Sequence, residues 1–510
     1  MTPERRSPSR AARPRSALAT RSGEPVTVVH LSAEYYPYAR SGGLAEAVAT
    51  LAAFQSRRGV RSAAIMPLYR SARAHAGRLE AVGEPLEVPL AGRVETVRIL
   101  TEPDAPPGCR LYFVEHDGFY DRPRLYGEVR GDYEDNHLRF ACFALAGAMA
   151  LPRIADGPVL LHAHDWHAAL ALTYARTTLA DRDPRYQSIA TVLSVHNAGY
   201  QGHYPSSILP ELGLPWELYN WRQLEWHGKL NLLKSGLTFA DQVVTVSPNH
   251  ASELRTPAGG FGLHGVFSSL GARFRGILNG IDPTEWDPRS DPILAEPFSS
   301  DDLSGKVACK LALQERFGLR RDARVPVFAM AARLVKQKGL DIILGDSALF
   351  ALPAQFVFIG RGETRYESAL RSIAGLLPDR VAVDTNFTDE LEHYLMGGAD
   401  FLLMPCQYEP CGLTQMRAQR YGVAPIVRRV GGLADTVEDG VTGFVFDPFR
   451  TEPLVGAALR GLDCYANPHE WTRMVRTAMA RDFGWDRSVT SYLEVYRNAV
   501  AERCDPALEG

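Results

Sequence analysis

The chain has 510 residues, too long for one ordinary hydrophobic core, so two or three domains are expected. Apolar residues make up 45% of it and the net charge is −3, which argues against a nucleic-acid-binding protein. No apolar run approaches the roughly 20 residues of a membrane-spanning helix, so no membrane partner is expected either. The seven cysteines are odd in number and scattered, which fits a reducing cytoplasm better than a disulfide framework.

The first 24 residues read as a tail rich in arginine, serine and proline. Six arginines and only two acids, Glu4 and Glu24, stand in it. Because such a composition cannot bury a core, we predict that residues 1–24 are disordered. An organellar transit peptide has a similar composition, but the missing amphipathic pattern favours a plain tail.

An apolar, β-branched run at 26–31 predicts the first buried strand of a parallel sheet. A loop leads from it to Gly42 and Gly43, and a helix is predicted over 44–58. Further strands are predicted at 60–66, 159–162, 189–195 and 242–246. This alternation predicts a doubly wound α/β sheet, whose active residues collect at the carboxyl ends of the strands.

The strand–helix alternation begins again in the second half. A turn at 275–282 marks the junction, and a helix is predicted near the end of the chain at 488–501. The second set of strands is predicted at 325–331, 355–359, 380–383, 401–404 and 425–427. We therefore predict an N-terminal domain over 25–270, a C-terminal domain over 271–485, and a final segment, 486–510, that could pack on either.

One short motif occurs in both halves. Residues 42–48 read Gly-Gly-Leu-Ala-Glu-Ala-Val, and residues 431–437 read Gly-Gly-Leu-Ala-Asp-Thr-Val. A glycine pair before a helix lets the backbone approach a ligand and leaves N–H groups facing it, usually for phosphate. Two such halves predict a ligand held between two α/β domains. The alternative is two helix starts without a ligand.

Histidines cluster after the strand predicted at 159–162, where residues 162–167 read His-Ala-His-Asp-Trp-His. A His-x-His pair in this position can bind zinc or iron, and His196 is one further candidate, but other ligands are missing. A second interpretation is a strand end where a histidine contacts sugar hydroxyls. A third is structural, with Asp165 as a helix cap and Trp166 in the core.

Two cations, Arg333 and Lys338, stand five residues apart across a strand-to-helix turn. Both could reach one ligand, and together they would offset the charge of a diphosphate. Cations are unusual at a helix N-terminus because the dipole there is positive, so an anionic ligand gives them a reason. The alternative is a solvated basic helix start.

Glu409 follows the strand predicted at 401–404 and precedes a proline, which keeps its backbone extended. The helix that begins over 412–414 could hold phosphate on its N–H groups while the carboxylate binds sugar hydroxyls. Alternatively, Glu409 only caps that helix.

Asp135 and Asn136 precede a helix predicted at 138–150. Taken alone, either residue is best explained as the N-cap of that helix.

Together these segments resemble the glycogen and starch synthases, retaining glycosyltransferases of the GT-B fold, from about residue 26 to residue 500. Each motif is weak alone, and the ordered set is specific. It comprises Ser-Gly-Gly-Leu at 41–44, the histidine segment at 162–167, His-Asn at 196–197 with Tyr-Gln-Gly at 200–202, Leu-Asn-Gly-Ile-Asp at 278–282, Arg333 with Gln-Lys-Gly at 337–339, Glu-Pro-Cys-Gly-Leu-Thr-Gln at 409–415 and Gly-Gly-Leu-Ala-Asp-Thr at 431–436.

The resemblance implies transfer of glucose from ADP-glucose to the non-reducing end of an α-1,4-glucan such as glycogen, with retention and without a metal or cofactor. It implies two Rossmann-like domains facing across a cleft, and a final helix that returns to the N-terminal domain. No carboxylate stands out as a nucleophile, and the resemblance implies that the leaving phosphate itself assists the acceptor hydroxyl from the same face.

By similarity, the catalytic residues would be His164, Glu409, Asp135, Arg333 and Lys338. The donor would be bound by Arg40, Gly42, Gly43, Arg333, Lys338, Phe387, Cys411, Gly412, Leu413 and Thr414, with Phe387 against the base. Acceptor and sugar contacts would come from His196, Asn197 and Asp135.

Two positions depart from the family pattern. Arg40-Ser41 stands where lysine and then threonine or valine are usual, and Glu46 stands where aspartate is usual. Arginine is longer than lysine and forked, so it is not an equivalent replacement. We expect these two departures to bear on donor choice and rate more than on the fold. The alternatives are a related α-glucosyltransferase using UDP-glucose or a small acceptor, a phosphorylase, and a non-catalytic carbohydrate-binding protein. A phosphorylase needs a lysine bound to pyridoxal phosphate, and none of the six lysines lies in such a motif.

Overall fold

The computed structural model describes residues 16–104, 108–128 and 131–504. Contacts divide the chain into two compact units. Unit 1 takes its described residues from Met1–Val195, Gly199–Val243 and Val489–Gly510, and unit 2 from His196–Ala198 and Val244–Ser488. The division therefore falls between Val243 and Val244, upstream of the domain limit expected near residue 270.

The strands occur along the whole described chain. They are β1 (Thr27–Leu31), β2 (Arg61–Pro67), β3 (Glu80–Ala81), β4 (Leu86–Leu90), β5 (Arg93–Thr101), β6 (Arg110–Glu115), β7 (Gly127–Glu128), β8 (Gly131–Asp132), β9 (Val159–His164), β10 (Ala190–Val195), β11 (His203–Pro205), β12 (Glu225–Trp226), β13 (Lys229–Asn231), β14 (Gln242–Thr245), β15 (Phe274–Gly276), β16 (Val327–Ala331), β17 (Gln355–Ile359), β18 (Val381–Asp384), β19 (Phe401–Met404), β20 (Ala424–Arg428) and β21 (Phe444–Phe446).

The α-helices are interleaved with these strands. They are α1 (Gly43–Arg57), α2 (Arg70–His75), α3 (Asp117–Tyr120), α4 (Asn136–Ile154), α5 (Asp165–Arg176), α6 (Leu232–Phe239), α7 (Pro248–Leu254), α8 (His264–Ser269), α9 (Ser304–Arg316), α10 (Leu340–Ile343), α11 (Ala348–Ala351), α12 (Thr364–Leu376), α13 (Asp389–Gly398), α14 (Thr414–Arg420), α15 (Gly431–Thr436), α16 (Thr451–Ala466), α17 (Pro468–Met479) and α18 (Trp485–Arg503). Among the described helices, none has the length and apolar character needed to cross a bilayer.

Unit 1 is organised around a sheet with the strand order β14-β10-β9-β1-β2-β6-β5-β3, and β4 pairs with β5. The pairs β1–β2, β1–β9, β9–β10 and β2–β6 are parallel, and β5 is antiparallel to β6. The central strands are apolar and buried along nearly their whole length, because helices cover both faces of a doubly wound sheet. Gly236 permits the close packing of α6 on α5, since a Cβ there would lie 2.7 Å from the Cβ of Ala169.

Unit 2 contains a parallel sheet with the order β18-β17-β16-β19-β20-β21. Alternate residues of its strands enter two different apolar clusters. Val327 and Ala329 belong to one cluster, and Phe328 and Met330 belong to the other. Because strand side chains alternate between the faces, these two clusters are the cores on the two sides of one sheet. This is the arrangement that the apolar strand pattern predicted.

The predicted N-terminal tail differs from the structure in its second half. Residues 1–15 lie outside the described residues. In residues 16–24, Leu18 is fully buried and its carbonyl oxygen accepts a hydrogen bond from the Val26 N–H at 3.1 Å. The Thr20 N–H donates to the Glu24 carbonyl at 2.9 Å. The prediction of disorder was therefore wrong for residues 16–24, because the one leucine finds a place in the core.

Candidate active site

The predicted site residues fall in both units. Unit 1 contains Arg40, Gly42, Gly43, Asp135 and His164, whereas unit 2 contains His196, Asn197, Arg333, Lys338, Phe387, Glu409, Cys411, Gly412, Leu413 and Thr414. Most of them follow the carboxyl end of a parallel strand. In each sheet, two strands distant in sequence are neighbours, β1 with β9 and β16 with β19. Such a switch in strand order is where doubly wound sheets bind ligands.

The first glycine pair lies at the open start of α1. Gly42 is the extended N-cap residue, no side chain caps the helix, and a Cβ at Gly42 would meet no atom within 4 Å. Glu34, a buried carboxylate, fixes the preceding loop by accepting hydrogen bonds at 2.6 Å from the Ser41 N–H, the Ser41 hydroxyl and the Tyr126 hydroxyl. The N-terminus of a 15-residue helix is thus presented on a fixed loop, as an anion site requires.

The two departures from the family pattern lie close to the start of α1, Arg40 before the helix and Glu46 in its first turn. Arg40 is exposed, and its guanidinium carbon lies 5.5 Å from the centroid of the Tyr36 ring. Glu46 stands in the first turn of α1, where its negative charge is favoured by the helix dipole. Glutamate in place of the usual aspartate therefore keeps the same electrostatic relation to the helix.

Asp135 occupies the N-cap position of α4, but its side chain makes no capping hydrogen bond. Instead, both carboxylate oxygens accept from the Arg122 guanidinium, at 2.7 and 2.5 Å. This hydrogen-bonded partner raises the pKa of Arg122. Asp135 is therefore the N-cap residue by position, as the sequence indicated, but its side chain pairs with Arg122 and does not cap α4. The carboxylate is about one third exposed, which leaves it accessible to a ligand.

His164 ends β9 and is fully buried. The next residue, Asp165, has φ +57°, a left-handed conformation that costs about 1–3 kcal/mol in residues other than glycine. This residue turns the chain sharply from β9 into α5. Trp166 is buried against Phe140, with ring centroids 5.1 Å apart, as the structural interpretation predicted. The N-cap of α5, however, is His164 and not Asp165.

The glycine loop and the histidine segment are connected through Tyr126. Its hydroxyl donates to Glu34 at 2.6 Å, while its ring stacks on His167 with centroids 4.8 Å apart. Burial, with a smaller effect from the Arg139 charge, lowers the pKa of His167 to about 3, so this imidazole is neutral. Tyr126 therefore contacts both the glycine loop, through a hydrogen bond, and the segment that carries His164, through ring stacking.

Three buried histidines, His30, His162 and His164, offer ring nitrogens that lie within 4.8 Å of one another. A His-x-His metal site was one interpretation of the sequence, but its further candidate, His196, does not belong to this group. The ring nitrogens already have hydrogen-bond partners: His30 with His164, and beyond them Gln55, Ser194 and Tyr496. A metal ion bound here would therefore have to replace hydrogen bonds that the histidines make to protein groups.

In unit 2, an ion pair joins the loops after β16 and β19. The Lys338 ammonium bonds to the Glu409 carboxylate, and both side chains are largely buried. Burial would lower the pKa of Lys338, but the neighbouring Glu409 carboxylate outweighs this effect and helps to raise that pKa above its usual value. Arg333 acts on Lys338 in the opposite direction through like charge, and is itself exposed. The two predicted cations and Glu409 therefore belong to one charged group.

The second glycine pair is not an anion site. The Gly431 N–H donates to the Glu253 carboxylate at 2.9 Å, and the Gly432 N–H donates to the carbonyls of Glu409 and Pro410, both at 3.1 Å. The prediction that this pair offers its N–H groups to phosphate is therefore wrong, because protein acceptors already engage them. Its glycines instead let α15 pack directly against the backbone that carries Glu409.

The segment after Glu409 leads into α14. Gly412 has φ +71°, and the Gln415 amide donates to the carbonyls of Cys411 and Gly412 at 3.0 and 2.9 Å. Leu413 is the N-cap residue of α14, with no side-chain cap, and Thr414 is the first residue of the helix. Glu409 pairs with Lys338 and does not cap α14, so the capping alternative was wrong.

Phe387 lies in the turn between β18 and α13, and 41% of its surface is exposed. The turn is fixed by Thr388, whose hydroxyl oxygen caps α13 by accepting from the Leu391 N–H at 3.2 Å. An exposed ring on a fixed turn can stack on a flat ligand such as a base.

His196 and Asn197 directly follow β10 and are both half-buried. Burial lowers the pKa of His196 to about 3, so its imidazole is neutral at physiological pH. A neutral imidazole both donates and accepts hydrogen bonds, which suits contacts with sugar hydroxyls.

Several residues that contact the predicted site residues, directly or through one neighbour, were not predicted as site residues: His30, Glu34, Gln55, Arg122, Cys406 and Tyr496. Glu34 and Cys406 lay within segments whose neighbours were singled out, so the surrounding motif could have indicated them. The others come from elements remote in sequence, and only the tertiary structure brings them to the site.

Two family models match the chain. The model of the starch synthase catalytic domain matches residues 27–269, and the model of glycosyl transferases group 1 matches residues 313–477. A glycogen synthase of Syntrophotalea carbinolica is 39% identical over 484 residues, which cover 93% of this chain and 99% of that protein. One of Anaeromyxobacter sp. (strain Fw109-5) is 40% identical over 482 residues, with coverages of 93% and 99%.

Solved structures agree with these matches. The catalytic domain of starch synthase IV from Arabidopsis thaliana, bound to ADP and acarbose, has a TM-score of 0.85 and 31% identity, covering 94% of this chain and all of that one. Sucrose-phosphate synthase from Thermosynechococcus elongatus has a TM-score of 0.58 at 16% identity and supports the fold alone.

The fold and the matches define a hexosyltransferase of the GT-B class. Within that class, the chain belongs to the family of glycogen and starch synthases. The resemblance and the α/β fold class that the sequence indicated are confirmed, and the phosphorylase and non-catalytic alternatives are set aside.

Proposed function

We propose that this enzyme transfers glucose from ADP-glucose to the non-reducing end of an α-1,4-glucan, with retention of configuration. The observation that carries the proposal is the buried Lys338–Glu409 pair with Arg333 beside it, at the strand switch of unit 2. An ammonium kept charged by a carboxylate suits a diphosphate, and the carboxylate suits sugar hydroxyls. The solved relative with bound ADP supports the same choice of nucleotide.

The donor would be held mainly by unit 2. Arg333 and Lys338 would bind the diphosphate, Glu409 the glucosyl hydroxyls, and Phe387 the adenine ring. The backbone from Cys411, Gly412 and Leu413 to Thr414 would add N–H groups to phosphate. Because both cations are in place before the reaction, they would stabilise the charge that develops on the leaving ADP.

The remaining contacts would come from unit 1 and from two residues of unit 2, His196 and Asn197. The α1 N-terminus at Gly42 and Gly43, with the charge of Arg40, would face the donor phosphate. His164 would lie against the transferred glucose, and Asp135, His196 and Asn197 would contact the sugars of donor and acceptor. The two hydrogen bonds from Arg122 orient the Asp135 carboxylate for this role.

The chemistry would proceed on one face of the sugar. The bond from the anomeric carbon to the phosphate oxygen breaks, the acceptor O4 bonds to that carbon, and the O4 proton passes to the departing phosphate. No step needs a protein nucleophile, a metal or a cofactor, and the barrier is lowered by position and electrostatics.

The donor nucleotide and the compartment are part of the proposal. An aromatic ring at Phe387 would stack on adenine or uracil, so UDP-glucose is the second candidate donor. A small sugar in place of glucan is the alternative acceptor. We place the enzyme in the cytoplasm, which the seven free cysteines support because they match a reducing compartment.

The test compares Lys338→Ala with Lys336→Ala, the two ends of a short 3-10 helix, Lys336–Lys338. Lys336 is exposed, so its variant controls for the loss of a positive charge near the site. Each protein is incubated with glycogen and either ADP-glucose or UDP-glucose, and glucose incorporation and nucleotide release are measured. We expect incorporation from ADP-glucose, a loss of at least about 100-fold in Lys338→Ala, and near-normal rates in Lys336→Ala.

Incorporation from UDP-glucose alone would overturn the donor and keep the reaction. Near-normal turnover of Lys338→Ala would overturn the assignment of the site. An unchanged melting temperature for this variant is the control that the loss is not due to unfolding.

A further inference from the structure

A chain of buried hydrogen bonds leads away from His164 into the core of unit 1. It comprises His164 to His30 at 3.1 Å, His30 to Gln55 at 2.9 Å, Gln55 to Tyr496 at 2.6 Å, Tyr496 to His162 at 2.9 Å and His162 to Ser194 at 2.7 Å. All six side chains belong to residues that are fully buried. They come from β1, α1, β9, β10 and the C-terminal helix α18, and we refer to them as the histidine relay.

We propose that Gln55 and Tyr496 are positioning residues of the transferase. Through His30 they hold the His164 ring in one orientation and in the tautomer that carries its proton on Nε2. The inference rests on the proposed function, which places His164 against the transferred glucose.

The direction of the hydrogen bonds follows from the chemistry of Gln55. Its Nε2 donates to the Tyr496 hydroxyl oxygen, so its Oε1 faces His30. An amide oxygen can only accept, and His30 must therefore donate from Nε2. Gln55 thus fixes which nitrogen of His30 carries the proton.

His30 then fixes His164. Burial lowers the pKa of His30 to about 4, so the ring is neutral and has one N–H. Because that N–H is on Nε2, Nδ1 of His30 is an acceptor, and the atom facing it at 3.1 Å is Nε2 of His164. His164 must donate this hydrogen bond, which places its proton on Nε2.

The other end of the relay is equally determined. Burial raises the pKa of Tyr496 well above its usual range, so the hydroxyl keeps its proton. The Tyr496 oxygen accepts from Gln55, and its O–H finds an acceptor in Nδ1 of His162. His162 then donates from Nε2 to the Ser194 hydroxyl oxygen. Every contact of the relay pairs one donor with one acceptor, and so no metal ion is needed to satisfy these histidines.

Loss of one member of the histidine relay should change the orientation of the His164 ring, and through it the rate. A buried polar chain with all partners satisfied is rigid, whereas removal of one member leaves its neighbours without a partner. A small displacement of a group that contacts the reacting sugar lowers the rate strongly, because catalysis here depends on position. Loss of Gln55 or Tyr496 should therefore lower kcat more than it changes KM for the donor, to which neither residue is assigned.

The test begins with the wild-type enzyme and requires no activity. Histidine-selective ¹⁵N NMR reports which ring nitrogen carries the proton, with signals assigned through His30 and His164 variants. We expect a neutral His164 with its proton on Nε2. A proton on Nδ1 would overturn the proposal, and so would stoichiometric zinc or iron measured in the purified protein by mass spectrometry.

The second part compares Tyr496→Phe with Tyr174→Phe. Tyr174 is also fully buried in unit 1, and its hydroxyl donates to the Leu212 carbonyl at 2.6 Å, so its variant loses a similar hydrogen bond outside the relay. We expect kcat to fall on the order of ten- to a hundredfold in Tyr496→Phe, with KM for ADP-glucose within about twofold, and both near normal in Tyr174→Phe. Gln55→Leu, an independent change, should reproduce the kcat loss and yield a mixed His164 tautomer.

Equal kcat values for the two tyrosine variants would overturn the positioning role. If the wild type failed to use ADP-glucose or UDP-glucose while the NMR signals kept the expected tautomer, the proposed function would fail and the geometry of the relay would stand. The two proposals are therefore tested separately.

Discussion

The two glycine pairs should respond in opposite ways to the same substitution. Gly431 has φ +43°, and a Cβ added there would lie 1.8 Å from the Glu409 carbonyl oxygen, which is backbone and cannot rotate away. Gly42 is extended, with φ −166°, and a Cβ there would meet nothing within 4 Å. Alanine at position 431 should therefore disturb the core of unit 2. Alanine at position 42 should leave the core of unit 1 intact.

The magnitude for Gly431→Ala follows from two costs. A left-handed conformation costs a non-glycine residue about 1–2 kcal/mol. Relieving the contact with Glu409 requires a backbone shift of the kind that costs about 1–3 kcal/mol in an overpacked core. We expect the substitution to lower the free energy of unfolding of unit 2 by roughly 2–5 kcal/mol. Activity should also fall, because the Glu409 side chain moves with its backbone.

For Gly42→Ala, the expected stability change is at most about 1 kcal/mol, the difference between glycine and alanine at an N-cap. Its effect should instead be on KM for the donor, since the added methyl group stands where phosphate would approach. Urea unfolding followed by fluorescence, together with kinetics on both variants, measures the pair. The reasoning would be refuted if Gly431→Ala were as stable as the wild type, or if Gly42→Ala lost more stability than Gly431→Ala.

Two further predictions concern charge. Arg122→Ala should leave the fold intact but lower activity by about tenfold, because Asp135 loses its bidentate partner and its orientation; an unchanged rate in a glucan-transfer assay would exclude this positioning. Acid should destabilise unit 1, because burial lowers the pKa of His30 to about 4 and that of His167 to about 3. Both histidines stay neutral in the folded state, whereas in the unfolded state they bind protons below about pH 6.5. Stability is then lost as the pH falls, by about 2 kcal/mol for each histidine at pH 5, and urea midpoints at pH 7 and 5 should show a smaller loss in His167→Gln than in the wild type.

The strands of the parallel sheets were predictable because burial on both faces leaves a continuous apolar run in the sequence. The predicted strand at 355–359 coincides with β17, and the one at 401–404 with β19. The antiparallel edge of unit 1 was not predicted. In β5 only three of the nine residues are buried, and β3 has only two residues, so neither gives a run of that kind.

The histidine relay could not be predicted from the sequence, for a different reason. The His-x-His pattern was visible on β9, but its partner His30 lies on β1, and the register of the two strands places His30 beside His162. That register is a property of the sheet and not of either segment. Without it, a metal site and a hydrogen-bonded chain could not be distinguished by sequence, because both use buried histidines on neighbouring strands.

The repeated glycine motif illustrates why similar residues can have different roles. Both copies start a helix after a loop, and both keep a backbone position free of side-chain atoms. At Gly42 the free space faces open surroundings, so it is available to a ligand. At Gly431 the same space is filled by the Glu409 backbone, so the glycine allows close packing against the segment that carries Glu409. What approaches a glycine is decided by the fold around it, and that is the information a local motif lacks.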